Sequence, residues 1–202
     1  MVRGVSGKYN LSVILLIVFN LLYVVGFGIY YVGIENYEFL IYIAVLVLIG
    51  FAVIGTLKYT KLDNFALWGL SIWGLLHMAG GGVRIGASNL YSLRLIDIID
   101  NGGQFYILKM DQLIHLYGFL ITAVVVYQII KNNFKIGEHK KLVVFLAWIG
   151  SMGLGALNEV VEFIAFVSLS QTGVGDVYNT GLDLIFNMCG ALVGAFVQRF
   201  RK

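Results

Sequence analysis

The sequence predicts an all-α integral membrane bundle of six transmembrane helices, and three observations predict it. Hydrophobic residues make up 59% of the 202 and charged residues only 12%, where a soluble domain carries about 45–50% and about 25%. With a mean hydropathy of +0.88, that excess is too large for one aqueous globule to bury. Second, the apolar residues fall into six runs, at roughly 10–33, 37–56, 64–82, 104–130, 141–168 and 176–198. Each is close to the ~20 residues a bilayer demands. Lipid cannot satisfy open backbone groups, and the runs are too continuous for barrel strands, so helices are expected. Third, with six spans one side receives Arg3, Lys8, Lys58, Lys61, Lys131, Lys135, Lys140, Lys141, Arg199, Arg201 and Lys202, leaving only Arg84, Arg94 and Lys109 of the 14 basic residues opposite. The positive-inside rule then puts both termini in the cytoplasm.

The elements follow in order. The first run is too long for a signal-peptide core and is expected to stay as a span. Span 3 ends in the glycines 80–82. Between spans 3 and 4 lies the one long connection, 83–103, where Leu90, Leu93, Ile96 and Ile99 recur at helical spacing with Arg94, Asp97 and Asp100 opposite. This predicts an outer-surface helix over about 88–100. Gly150, Gly153, Gly155, Gly190 and Gly194 predict close helix packing in spans 5 and 6. There is no proline, and the single cysteine, Cys189, excludes an intrachain disulfide. No repeat, soluble module or nucleic-acid patch is present; 1–202 reads as one transmembrane domain of a prokaryotic plasma membrane protein. Membrane lipid is its expected partner.

Polar residues interrupt this apolar background at one depth. Counting inward from the outer ends places His77 on span 3, Asp111 and His115 on span 4, Glu159 and Glu162 on span 5, and Asp183 and Asn187 on span 6 roughly 7–15 Å below the outer interface. Spans 1 and 2 contribute none. Each pair is spaced three or four apart and shares a helix face. Asp176 would cap span 6, with Asn179 three residues on; both, with Asn187, support rather than form the cluster. Lys109 would snorkel outward.

Charges at this depth cost about 2.5–3.5 kcal/mol each. Several carboxylates together therefore require protons or a cation. Carboxylate with imidazole suits zinc, manganese or iron(II) and suits calcium poorly. The candidate metal ligands are His77, Asp111, His115, Glu159, Glu162 and Asp183. Glu159 and Glu162 are the candidate catalytic carboxylates, Glu159 being the first choice of general base.

From His77 to about Gly194 the chain resembles the YjdF-like family of bacterial and archaeal membrane proteins, and more distantly VanZ-like proteins, with which it shares acidic residues on late spans. The matching stretches are "LHMAGG" (76–81), "MDQLIHLYG" (110–118), "NEVVEF" (158–163) and "TGVGDVYNTGLDLIFNMCGA" (172–191). Gly82, Val83 and Arg84 stand where the family pattern leads one to expect aromatic residues. The resemblance implies a polytopic membrane protein with these polar positions, and brings no reaction with it.

Three functions stay open. One is a metal-dependent enzyme acting on a lipid or lipid-linked substrate from the outer leaflet. Another is a small proton- or cation-coupled transporter, against which stands the lack of an inverted repeat or of polar residues in the cytoplasmic halves of the spans. The third is a non-catalytic scaffold, as a homo-oligomer or as an accessory subunit of a larger membrane complex.

Overall fold

Among the described residues six helices pack side by side, and consecutive helices run in opposite directions. The computed structural model describes residues 8–102, 106–136, 139–169, 175 and 177–201, with 8–10 described in backbone alone. The helices are α1 (Lys8–Gly33), α2 (Tyr37–Thr60), α3 (Asn64–Gly82), α4 (Met110–Asn133), α5 (Lys140–Ser168) and α6 (Val177–Gln198). Five are long and apolar enough to cross a membrane. The sixth, α3, is the shortest, its hydropathy diluted by five glycines, Ser71 and His77. Between α3 and α4 lie four short strands, β1 (Arg84–Ile85), β2 (Ser88–Asn89), β3 (Arg94–Asp100) and β4 (Tyr106–Lys109), paired antiparallel as β1 with β2 and β3 with β4.

Local signals set the helix ends. Asn36 caps α2 by accepting from the Phe39 amide at 3.1 Å, and Asp63 caps α3 by accepting from the Ala66 amide at 2.9 Å, each satisfying a donor the helix leaves open. Lys61 stops α2 in the left-handed conformation, φ 52°, its amide returned to the Leu57 carbonyl.

Two expectations are corrected here. Residues 88–100 form no surface helix: 94–100 pair antiparallel with 106–109, with a register shift between Arg94 and Ile99. Ile96, Ile98 and Ile99 fit a pleated strand better than a helix, and Gly86 and Gly102, both at positive φ, interrupt helical backbone on either side. The fourth helix accordingly begins at Met110, six residues after the expected start of its span at 104. Asp111 therefore sits in the first turn of α4, where the exposed helix amides favour a carboxylate.

Outwardly the bundle presents hydrocarbon: Leu22, Ile29, Phe51, Ile54 and Phe163 are all more than 60% exposed, as a lipid-facing surface requires. Inside, α4 is the central helix, packed by α3, α5 and α6. Phe119, Ala123, Tyr127, Val143, Ala147, Ala191 and Ala195 fill one half of the core. Tyr23, Tyr31, Phe39, Tyr42, Met78 and Ala165 fill the opposite half. Gly190 and Gly194 let α6 lie directly on the Leu116 and Leu120 carbonyls of α4. Gly150 and Gly155 also face neighbours, whereas Gly153 faces open space and contributes no helix contact.

The two ends of the bundle differ. At one, Asn132 donates to the Thr60 carbonyl, the Asp63 amide donates to Gln128, and Arg201 pairs with Asp63 at 3.3 Å. This end gathers the α2–α3 turn, the end of α4 and the end of α6. At the other, the strands fold over α3 and α4, the Tyr91 amide donating to the Gly80 carbonyl at 2.9 Å. The polar residues lie beneath this strand-covered end.

Candidate functional site

His115 is the hub. One turn above it on α4, Asp111 places Oδ1 3.6 Å from His115 Nε2. Across on α6, Asn187 Oδ1 lies 3.0 Å from His115 Nδ1, and Asn187 Nδ2 donates to Glu159 Oε1 of α5 at 3.3 Å. Because that amide nitrogen is committed to a carboxylate, Asn187 Oδ1 must accept, so Nδ1 carries the imidazole proton. The Nε2 lone pair then faces the Asp111 carboxylate.

A second amide orders the carboxylates above. Asn179 Nδ2 donates to Asp111 Oδ2 at 3.3 Å and to Asp183 Oδ2 at 2.5 Å, while Lys109 Nζ donates to Asn179 Oδ1 at 2.5 Å. With both Oδ2 atoms held by one amide, Asp111 Oδ1 and Asp183 Oδ1 are left for other partners. Asp183 is fully buried, and its Oδ1 has no hydrogen-bond partner among the described residues. Asp111, His115 and Asp183 bring one ligand atom each within 4.8 Å of one another, and His115, Glu159 and Glu162 form a second such group.

Tetrahedral ligands at about 2.0–2.2 Å from a zinc ion stand ~3.4 Å apart. The 3.6 Å between Asp111 and His115 is too long for a hydrogen bond and close to that separation. The donor chemistry therefore fits a divalent transition metal.

A cavity of about 150 Å³ adjoins the cluster, lined by Lys109, Asp111, Glu162 and Asn179 and roofed by Asn89, Tyr91 and Ser92. Its remaining wall was not foreseen. Glu38 and Tyr42 of α2 line it, the Tyr42 hydroxyl donating to Glu38 Oε1 at 3.1 Å. The expectation that the first two spans add nothing polar is thus corrected. Its visible signal was the i,i+4 spacing of a lone carboxylate and a tyrosine at the start of an apolar run. Tyr91 carried no such signal, since only the strand fold brings it over α3.

His77 also lines the cavity, with Nδ1 2.5 Å from the Tyr91 hydroxyl and its ring stacked on Trp73. It stands outside both three-residue groups. Burial first, and then the Asp111 and Glu162 carboxylates, push the Tyr91 phenol well above its ordinary value, so the hydroxyl keeps its proton. Glu162 accepts from Asn158 at 2.8 Å. Lys109 does not snorkel: its ammonium turns inward and donates to Asn179 Oδ1. Asp176 lies outside the described residues.

No curated protein and no solved structure matches this chain. One family model does, along nearly its whole length and including the first two helices, where the sequence alone showed only hydrophobicity. The chain belongs to the family described as predicted membrane protein (DUF2238), whose model matches residues 12–202.

Proposed function

We propose that this pocket is the active site of a metal-dependent enzyme acting on a lipid or lipid-linked substrate. The observation that carries the reading is Asp183 Oδ1: a fully buried carboxylate oxygen with no hydrogen-bond partner among the described residues, converging with Asp111 and His115. Leaving such an atom unsatisfied costs about 1–3 kcal/mol or more, and a cation removes that cost. The basic residues at the opposite end orient the pocket toward the extracytoplasmic side of a prokaryotic plasma membrane.

In this reading Asp111 Oδ1, His115 Nε2 and Asp183 Oδ1 would hold a divalent transition ion, which when bound would supply Lewis acidity toward an ester or phosphate and toward water. Asn187 fixes the His115 tautomer and Glu159 fixes Asn187, the usual work of groups behind a ligand. That makes Glu159 a positioning residue. Glu162 faces the cavity and is the general base in its place: it takes a proton from the attacking water and returns it to the leaving alcohol. The Tyr91 hydroxyl engages His77 Nδ1 and also donates to the His77 carbonyl at 3.0 Å, so in this reading His77 is held at the cavity wall by Tyr91 and is not one of the metal ligands. Lys109 supplies positive charge beside the carboxylates, where negative charge develops on the substrate.

A carrier needs a polar route to the other membrane face. Below the polar layer the space between α2, α3, α4 and α5 is lined almost wholly by apolar side chains such as Ile49, Phe119, Val125 and Leu154, which favours a pocket whose polar part opens at one end. The reading is tested by incubating metal-supplemented protein with total membrane lipid extracts and following products by mass spectrometry. Release of an alcohol or phosphate fragment, stopped by a chelator and by Glu162→Gln with metal content unchanged, supports it. Absence of turnover of every lipid class by metal-loaded protein refutes it.

A further inference from the structure

A second cavity, of about 350 Å³, lies below the polar one. Its walls come from α2, α3, α4 and α5, and nearly all of them are aliphatic or aromatic; Ile49, Phe119, Val125 and Leu154 are typical. Three residues line both cavities: Tyr42, His77 and Glu162. The polar pocket therefore continues directly into hydrocarbon-lined space. Along α2 the apolar wall runs from Tyr42 to Val53, ~16 Å at about 1.5 Å per residue, about half the bilayer's hydrocarbon thickness.

The outer walls are half open. Ile49 of α2 and Leu154 and Leu157 of α5 line the cavity and are also exposed on the bundle surface at 38%, 45% and 59%. The rear wall is different: Phe119 is 5% exposed, and Thr122 and Val125 are only partly so. A slot open between α2 and α5, closed behind by α4 and ending on carboxylates, matches an amphipath lying in the plane of the bundle.

We propose that this slot takes one acyl chain of a membrane lipid, entering sideways between α2 and α5, with the lipid's polar linkage placed at Glu162 and His77. The inference deepens the proposed function by naming its substrate class and entry route, and it rests on that reading for the chemistry alone. Burying a chain gains about 0.8 kcal/mol per methylene against water but little against surrounding lipid. Selectivity therefore comes from the polar end, and the chain serves to set depth and register.

The test is photolabelling in nanodiscs of phosphatidylethanolamine and phosphatidylglycerol, with a trace of phosphatidylglycerol carrying a diazirine midway along one acyl chain. Sites are mapped by peptide mass spectrometry. Labelling of Phe119, Thr122 or Val125 is expected, because bulk lipid does not reach the rear wall. It should be lost in Val45→Trp and Val125→Trp, which fill the slot, and kept in Leu22→Trp, whose side chain is exposed on the bundle surface and lines neither cavity. Two filling variants guard against one misfolding, and size-exclusion profiles identify any that does.

Labels confined to outward residues such as Phe51 and Phe163 would overturn the proposal, as would rear-wall labelling unchanged in both filling variants. Elemental analysis of the same wild-type nanodiscs separates the two claims. Rear-wall labelling in protein that takes up no metal leaves the chain site standing and removes the metal. Metal bound with no rear-wall label does the reverse.

Discussion

Replacing Gly190 with valine tests the packing that holds the site together. A β-carbon at 190 would overlap the Leu116 carbonyl oxygen, and would lie 2.9 Å from its carbon and 3.0 Å from Leu116 Cα. Ordinary contacts are about 3.5–4.0 Å, so α4 and α6 must part by more than ~1 Å at the oxygen. A gap of even ~1 Å forfeits about half of each contact it opens, and backbone cannot rotate away as a side chain can. Overpacking costs about 1–3 kcal/mol, and the rigid obstacle puts this case near the upper end. Gly153 supplies the control, because nothing lies within 4 Å of its added β-carbon.

Helix propensity changes equally at both positions and cancels in the comparison. Gly190→Val should therefore be less stable than Gly153→Val by about 2–3 kcal/mol. The assay is unfolding in mixed micelles by titration with a denaturing detergent, followed by circular dichroism. Equal stability of the two variants would refute the claim that α6 rests on the α4 backbone at this point. Because Gly190 is one turn from Asn187, the same variant should also loosen the Asn187 bond to His115.

Other predictions address single interactions. Asp63→Ala removes the Arg201 pair, whose side chains are 45% and 34% exposed, so it should cost no more than ~1 kcal/mol from that pair, plus ~1 kcal/mol for the lost α3 cap. Arg201→Ala, which spares the cap, separates the two. Tyr31→Phe deletes the buried hydroxyl that donates to the Met78 carbonyl at 2.5 Å and should cost about 1 kcal/mol by the same detergent assay. Tyr91, whose phenol is raised, binds its proton more tightly folded than unfolded. Its contribution to stability is present below the ordinary tyrosine value of about 10 and is lost as pH climbs above it. An alkaline stability profile should fall less steeply in Tyr91→Phe; parallel profiles would show that Tyr91 is not shielded.

What the sequence disclosed depended on range. Helix number and approximate limits came from hydrophobic length, a local feature. The facing pairs on α4, α5 and α6 were legible for the same reason, since i,i+3 and i,i+4 spacing is a property of one helix. The strand region was misread because Leu90, Leu93, Ile96 and Ile99 fit a three-residue period by chance, while pairing of 94–100 with 106–109 is a non-local fact. That error displaced the start of α4 and hid both the inward turn of Lys109 and the approach of Tyr91 to His77. Glu38 was passed over because a carboxylate in a first helical turn has an ordinary explanation in the helix dipole. Only the fold shows that it is buried beside Tyr42.

The central claim is that a cation completes the Asp111, His115 and Asp183 cluster. Elemental analysis of detergent-purified protein, with Asp183→Asn and Glu38→Gln beside it, tests this most directly. The account predicts one transition-metal ion per chain in the wild-type protein, its loss in Asp183→Asn and its retention in Glu38→Gln. Wild-type protein free of metal even after incubation with zinc, manganese and iron(II) would contradict it, and would leave protons as the means by which these carboxylates are kept inside the bundle.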